Sequence, residues 1–256
     1  IRDTKFEKIE KNIVFSKGTP RIKKTVKGTL FSLLTGGAGN NNYWHWLFDV
    51  LPRIKIFKNV YNIEEVDYFL FPNLDKKFQL ETIQLLGIPI KKCFSSLKCR
   101  HLQCDKIINT DHPYVIKNDA TSEIQNLPTW IITWLKEVFT KNLNLDDNSF
   151  PSNFYIDRSD ASPNINKMRK IINEEEVISF VKSKKYRVIR LSDFSFKDQI
   201  KLFHNAEKII GLHGAGFANV IFSKSNLRML ELKPSGAAKM CENLAKKCNV
   251  IYDCIQ

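Results

Sequence analysis

Strands and helices leave different periods in a sequence, and both are legible along this chain. Short apolar runs at 12–15, 29–34, 66–71 and 106–109 read as strands, and 77–86 reads as a helix closing near Gly87. Pro128 opens a further helix to about 141 that carries Trp130, Ile131, Trp134, Leu135 and Val138. In the second half the alternation is sharper. Strands are expected at 153–156, 187–191, 209–212, 228–232 and 249–252. Helices separate them. One starts at a capping box, Asn173 to Glu176; the next is capped by Ser195 with Asp198; a third follows the glycines at 214 and 216; the last covers 237–247. Strands separated by helices imply mostly parallel sheets and an α/β fold of Rossmann type. The polar stretch 142–149, followed by Pro151, is the expected boundary between an N-terminal domain at 1–148 and a C-terminal domain at 149–256.

Composition fits two such domains. The chain has 256 residues, 43% hydrophobic and 26% charged, as in soluble globular proteins, and no run of eighteen apolar residues occurs. It starts at Ile1 without methionine, which suggests a fragment or a processed chain. A net charge of +13 points to anionic partners: nucleotides, acidic glycans or an anionic membrane surface. Nucleic acid suits the charge less well, because the lysines are scattered and no recognition motif is present. The six cysteines form two loose groups, Cys93, Cys99, Cys104 and Cys241, Cys248, Cys254. With His101 the first group resembles a metal set, yet its spacing matches no zinc pattern, so reduced thiols are expected. No Asn-x-Ser/Thr sequon occurs, in keeping with a cytoplasmic origin.

Two stretches carry candidate chemistry. The first is the apolar strand ending at Leu212, followed by His213, Gly214, Ala215 and Gly216 and then a helix. Such a turn presents backbone N–H groups and a positive dipole end to an anion. It is neither a P-loop, since no Lys-Ser/Thr follows, nor a dinucleotide fingerprint, since Asn219 replaces the third glycine. In an open α/β sheet ligands sit outside the carboxyl ends of the strands. Arg158 follows one strand, Ser192 and Asp193 another, His213 a third, and Glu231 closes a fourth. Arg158 suits phosphate oxygens, the 214–216 amides others, Glu231 the ribose hydroxyls, and Arg169 adds a second cation, so the edge suits a nucleotide diphosphate. The second stretch opens on glycines 36, 37 and 39 and continues into a helix with His45 and Asp49 four residues apart on one face. Asn42 is the expected cap, and Pro52 ends or kinks the helix. Either the pair is an acid–base device or the carboxylate merely holds a buried histidine.

The segments Tyr155 to Ser159, Arg169 with Asn173 and Glu174, His213 to Gly216, Glu231 to Pro234 and Asn42 to Arg53 together resemble glycosyltransferase family 61 over roughly residues 36–234. The resemblance implies a GT-B architecture, two Rossmann-like domains facing each other across a cleft. It also implies inverting, metal-independent transfer from a nucleotide sugar, usually a UDP-sugar, with no cofactor. By position Arg158, Arg169, Asn173, His213, Gly214, Ala215, Gly216 and Glu231 hold the donor, and His45 and Asp49 face it, with Asp49 favoured as the base. The acceptor implied is a glycan or lipid-linked glycan. Similar bacterial proteins serve capsule or lipopolysaccharide synthesis, which suggests a cytoplasmic, membrane-associated protein of bacterial source. The absence of Asp-x-Asp agrees with transfer without metal. A non-catalytic nucleotide-sugar or glycan-binding module is the competing reading.

Overall fold

A computed structural model describes residues 18, 20–35, 41–117, 119–147, 149–161 and 170–256, without the side chains of residues 120 and 121. The expected strand at 12–15, the glycines at 36–39 and Arg169 lie outside the described residues. The chain divides into two compact units, Ile1–Glu123 and Ile124–Gln256. That boundary is upstream of the expected one at 148, because the helix Thr129–Thr140 packs into the second unit. It buries Ile131, Ile132, Leu135 and Phe139, stacks Phe139 edge-on against Phe196, and donates from Lys136 Nζ to the Ser223 carbonyl.

In chain order the strands are β1 (Lys24–Thr25), β2 (Thr29–Ser32), β3 (Tyr68–Phe71), β4 (Cys93–Ser95), β5 (Leu102–Gln103), β6 (Lys106–Asn109), β7 (Asn153–Asp157), β8 (Arg187–Arg190), β9 (Lys208–Leu212), β10 (Arg228–Leu232) and β11 (Ile251–Ile255). Among the described residues of the first unit, β4-β3-β2-β6 form a parallel sheet, and β1 pairs with β5. Its core is aromatic: Phe31, Phe69, Phe71 and Trp46 are fully buried, and Phe31 stacks on Phe57 with centroids 4.4 Å apart. The first of these strands along the chain, β2, lies beside the last, β6, so connections leave in opposite directions between them. Such a junction is where an open parallel sheet leaves a crevice.

The second unit is a parallel sheet of order β11-β10-β9-β7-β8. Counted from β7, this is the doubly wound order 2-1-3-4-5, with its crevice between β7 and β9. Residues alternate in burial along β9 and β10, so Ile209, Gly211, Met229 and Glu231 all point into one covered face. Both units are therefore Rossmann-like α/β sheets.

Of the two outcomes expected at Pro52, the helix is not ended: Tyr43–His45 runs through a π turn, Trp46–Val50, into Pro52–Phe57. Two local expectations differ from the structure. The Asn173 capping box does not close, since the Asn173 amide donates to Glu176 Oε2 and no cap bond forms. The segment Ala215–Phe222 is a 3-10 helix instead of an α-helix. No helix of the described residues is long and apolar enough to cross a membrane.

Candidate active site

In the first unit the chemistry gathers at the crevice between β2 and β6. Asn42 caps the helix that follows β2, its side chain accepting from the Trp44 and His45 amides. The π turn after His45 is wholly buried, Asp49 included. His45 Nδ1 meets Asp49 Oδ2 at 2.8 Å, so the expected pair forms. With Nδ1 carrying the hydrogen toward the carboxylate, Nε2 is the basic nitrogen. Asp49 is buried, whereas the His45 side chain keeps 17% of its surface exposed.

The segment after β6 completes this group, and no sequence motif marks it. Tyr114 donates from its hydroxyl to Asp49 Oδ1 at 2.5 Å. Burial, then the Asp49 charge and hydrogen bond, push the Tyr114 hydroxyl far above the ordinary tyrosine range, so it remains a donor. His112 Nδ1 accepts from the Tyr114 and Val115 amides, which places its hydrogen on Nε2. Burial lowers the His112 pKa against the opposing pull of Asp49 and keeps this imidazole neutral. Arg53 donates from Nε to the Asp49 carbonyl and from Nη1 to the Thr110 carbonyl, joining the helix to the end of β6. It stood in the sequence motif without a role. Tyr114 lies 65 residues from Asp49 in sequence, and only the parallel pairing of β2 with β6 brings them together.

In the second unit β7 and β9 are neighbours, so Arg158 reaches the turn after Leu212. Its Nη1 donates to the His213 carbonyl at 2.6 Å. A Cβ at position 214 would stand 3.0 to 3.2 Å from the Arg158 guanidinium, so glycine is what lets the two approach. Position 216 is equally tight, 2.8 Å from Leu191 Cδ1. Arg190 adds a cation at the end of β8, donating to Ser159 Oγ and lying 3.6 Å from Asp157. Ala215 and Gly216 open the 3-10 helix. Asn173 is instead exposed and bonded to Glu176.

His213 and Glu231 are brought together, but not toward solvent. His213 Nδ1 bonds to Glu231 Oε1, and Tyr252 donates from its hydroxyl to Glu231 Oε2 at 2.5 Å. Glu231 is 0% exposed. Burial works to raise its pKa, yet the bonds from His213 and Tyr252 outweigh it and hold the carboxyl below the usual range. A direct role on ribose hydroxyls does not fit this geometry; the carboxylate anchors His213. Burial and Glu231 push the Cys241 thiol well up. His213, Glu231 and Cys241 place ligand atoms within 4.8 Å of one another, the group among the described residues that could hold an ion. All three are buried, so an ion there would be structural. The Cys93, Cys99 and Cys104 set forms no such group: its thiols are unpaired, and His101 Nδ1 bonds to the Pro20 carbonyl.

Residues 43–230 match the Glycosyltransferase 61 family. Curated relatives are EGF domain-specific O-linked N-acetylglucosamine transferases. That of Bos taurus is 29% identical over 89 residues, 33% of this chain and 17% of the relative. That of Canis lupus familiaris is 30% identical over the same shares. The Gallus gallus protein is 30% identical over 59 residues, 21% of this chain and 11% of the relative. The matched stretch thus spans under a fifth of each of these relatives.

Proposed function

The chain belongs to the Glycosyltransferase 61 family, and we propose on that footing that it transfers a sugar from a nucleotide-sugar donor, a UDP-sugar, to a glycan or glycoconjugate. The observation that carries the reading is the bond from Arg158 to the His213 carbonyl beside Gly214. It stands at the crevice of the second sheet, where parallel sheets of this order bind ligands. There the guanidinium and the amides of Gly214, Ala215 and Gly216 suit the donor diphosphate and neutralise it as it leaves, without a metal. Arg169 and Asn173 keep their proposed place in the donor set on sequence grounds.

The first unit supplies the base in this reading. Asp49 is buried with both oxygens engaged, whereas His45 retains exposed surface, so the role moves from Asp49 to His45. Nε2 takes the proton of the acceptor hydroxyl as its oxygen attacks the anomeric carbon. The bond from that carbon to the diphosphate breaks with inversion, and the electron pair leaves with the diphosphate. Asp49 stabilises the imidazolium that forms. The proposed acceptor is a polysaccharide precursor, glycan or lipid-linked glycan, handled at an anionic membrane surface that the basic chain would favour.

UDP-N-acetylglucosamine is the first donor to test, since the relatives are named for N-acetylglucosamine transfer. Binding is read by calorimetry, and turnover as UDP release with water as acceptor. The expected wild type binds UDP and hydrolyses the donor in EDTA. Arg158→Ala loses a charge-assisted contact of about 1.5–3 kcal/mol and weakens UDP at least ~10-fold. His45→Ala binds UDP normally and loses turnover by ~100-fold. Unchanged UDP affinity in Arg158→Ala refutes the donor site. Activity lost in EDTA and restored by manganese refutes transfer without metal. UDP binding with no hydrolysis of any nucleotide sugar would favour the non-catalytic module.

A further inference from the structure

We infer that Tyr114 is a positioning residue for the reaction, acting through Asp49 to fix the tautomer of His45. The inference rests on His45 as base. A carboxylate that meets an imidazole with one oxygen can still rotate and offer the other. Here the second oxygen is taken: the Tyr114 hydroxyl donates to Asp49 Oδ1 at 2.5 Å while Oδ2 faces His45 Nδ1 at 2.8 Å. The carboxylate plane is thereby set, Nδ1 must carry the hydrogen, and the lone pair is left on Nε2.

Tyr114 is itself held for this task. The residue is 4% exposed, and its ring meets that of His112 edge-on with centroids 4.6 Å apart. His112 Nδ1 in turn accepts the backbone amides of Tyr114 and Val115, so the segment closes on itself around the ring. Arg53 ties the same segment to the helix through the Thr110 and Asp49 carbonyls. A tyrosine that only filled space would not need its hydroxyl, and phenylalanine would serve in its place.

The test is Tyr114→Phe, with UDP release from UDP-N-acetylglucosamine as the assay. Donor affinity and KM should stay unchanged while kcat falls about tenfold, part of the general-base contribution that a freely turning carboxylate no longer secures. In an Asp49→Asn background Tyr114→Phe should cost nothing further, since the residue it acts through is gone. A rise in KM in place of a fall in kcat, additive losses in the double variant, or no fall at all would each overturn the inference. Should Tyr114→Phe fail to fold, nitrogen NMR of the wild-type His45 ring decides. Hydrogen on Nδ1 supports the arrangement, and hydrogen on Nε2 overturns it. Loss of turnover in His45→Ala with none in Tyr114→Phe removes this inference alone. Retained turnover in His45→Ala removes the base itself.

Discussion

Asp49 and Glu231 each bridge a histidine Nδ1 and a tyrosine hydroxyl, the first with His45 and Tyr114, the second with His213 and Tyr252. Exposure separates their work. The His45 side chain keeps 17% of its surface and suits proton transfer; the His213 side chain keeps 3% and fixes the carbonyl on which Arg158 rests. Alternation along β10 carried the signal for Glu231, because it falls two residues after buried Met229 and on the same face. Reading it as a ligand for ribose overlooked that period. The close approach at Gly214 yields a prediction at this scale. Its φ of 174° is ordinary extended backbone, so Gly214→Ala strains no dihedral and should fold normally. The new methyl would press on the guanidinium at 3.0 to 3.2 Å and displace Arg158. UDP affinity should fall several-fold with an unchanged melting temperature. Wild-type affinity would show that the placement of Arg158 does not matter.

Most strands were legible because alternation and short apolar runs are local signals, and β6, β9 and β10 lie where those signals put them. The π turn was not legible. Trp44, Trp46, Leu47, Phe48, Val50 and Leu51 are all buried, so the segment has no polar face from which a change of period could be read. Its cause is nonetheless in the sequence. Pro52 has no N–H to offer the Phe48 carbonyl, and one residue earlier the Leu51 amide passes over the Leu47 carbonyl to reach that of Trp46 at 3.1 Å. The wide turn sets the angle at which Asp49 meets both His45 and Tyr114. Pro52→Ala restores the missing donor and permits an ordinary α turn, which would rotate Asp49 about the helix axis. The variant should fold within ~1 kcal/mol of wild type, keep its UDP affinity, and lose UDP-release activity by about tenfold as the Asp49 hydrogen bonds are misaligned. Unchanged turnover would mean that the turn accommodates the proline and nothing more.

For the whole molecule, the same buried groups set how stability responds to acid. The His112 pKa is lowered from an ordinary 6.5, by burial first, and the Glu231 pKa is lowered from an ordinary 4.5. For a group depressed on folding, the unfolded chain binds the proton more tightly. Its contribution is therefore complete above the unfolded value and is lost as pH falls through the window below it. His112 should erode stability of the first unit as pH drops below 6.5, while Glu231 does so in the second only below 4.5. A chain at +13 also gains self-repulsion as its carboxylates protonate, so the overall decline has a general part and two local ones. Variants separate them. His112→Asn keeps an acceptor for the Tyr114 and Val115 amides but cannot titrate, so its melting temperature should fall less than that of wild type between neutral pH and the Glu231 window. Glu231→Gln should be destabilised at neutral pH, where His213 and Tyr252 lose their anion, and should then decline less steeply below 4.5. Melting curves parallel to wild type across both windows would mean that neither group is depressed by its surroundings, and that the acid response belongs to the net charge alone.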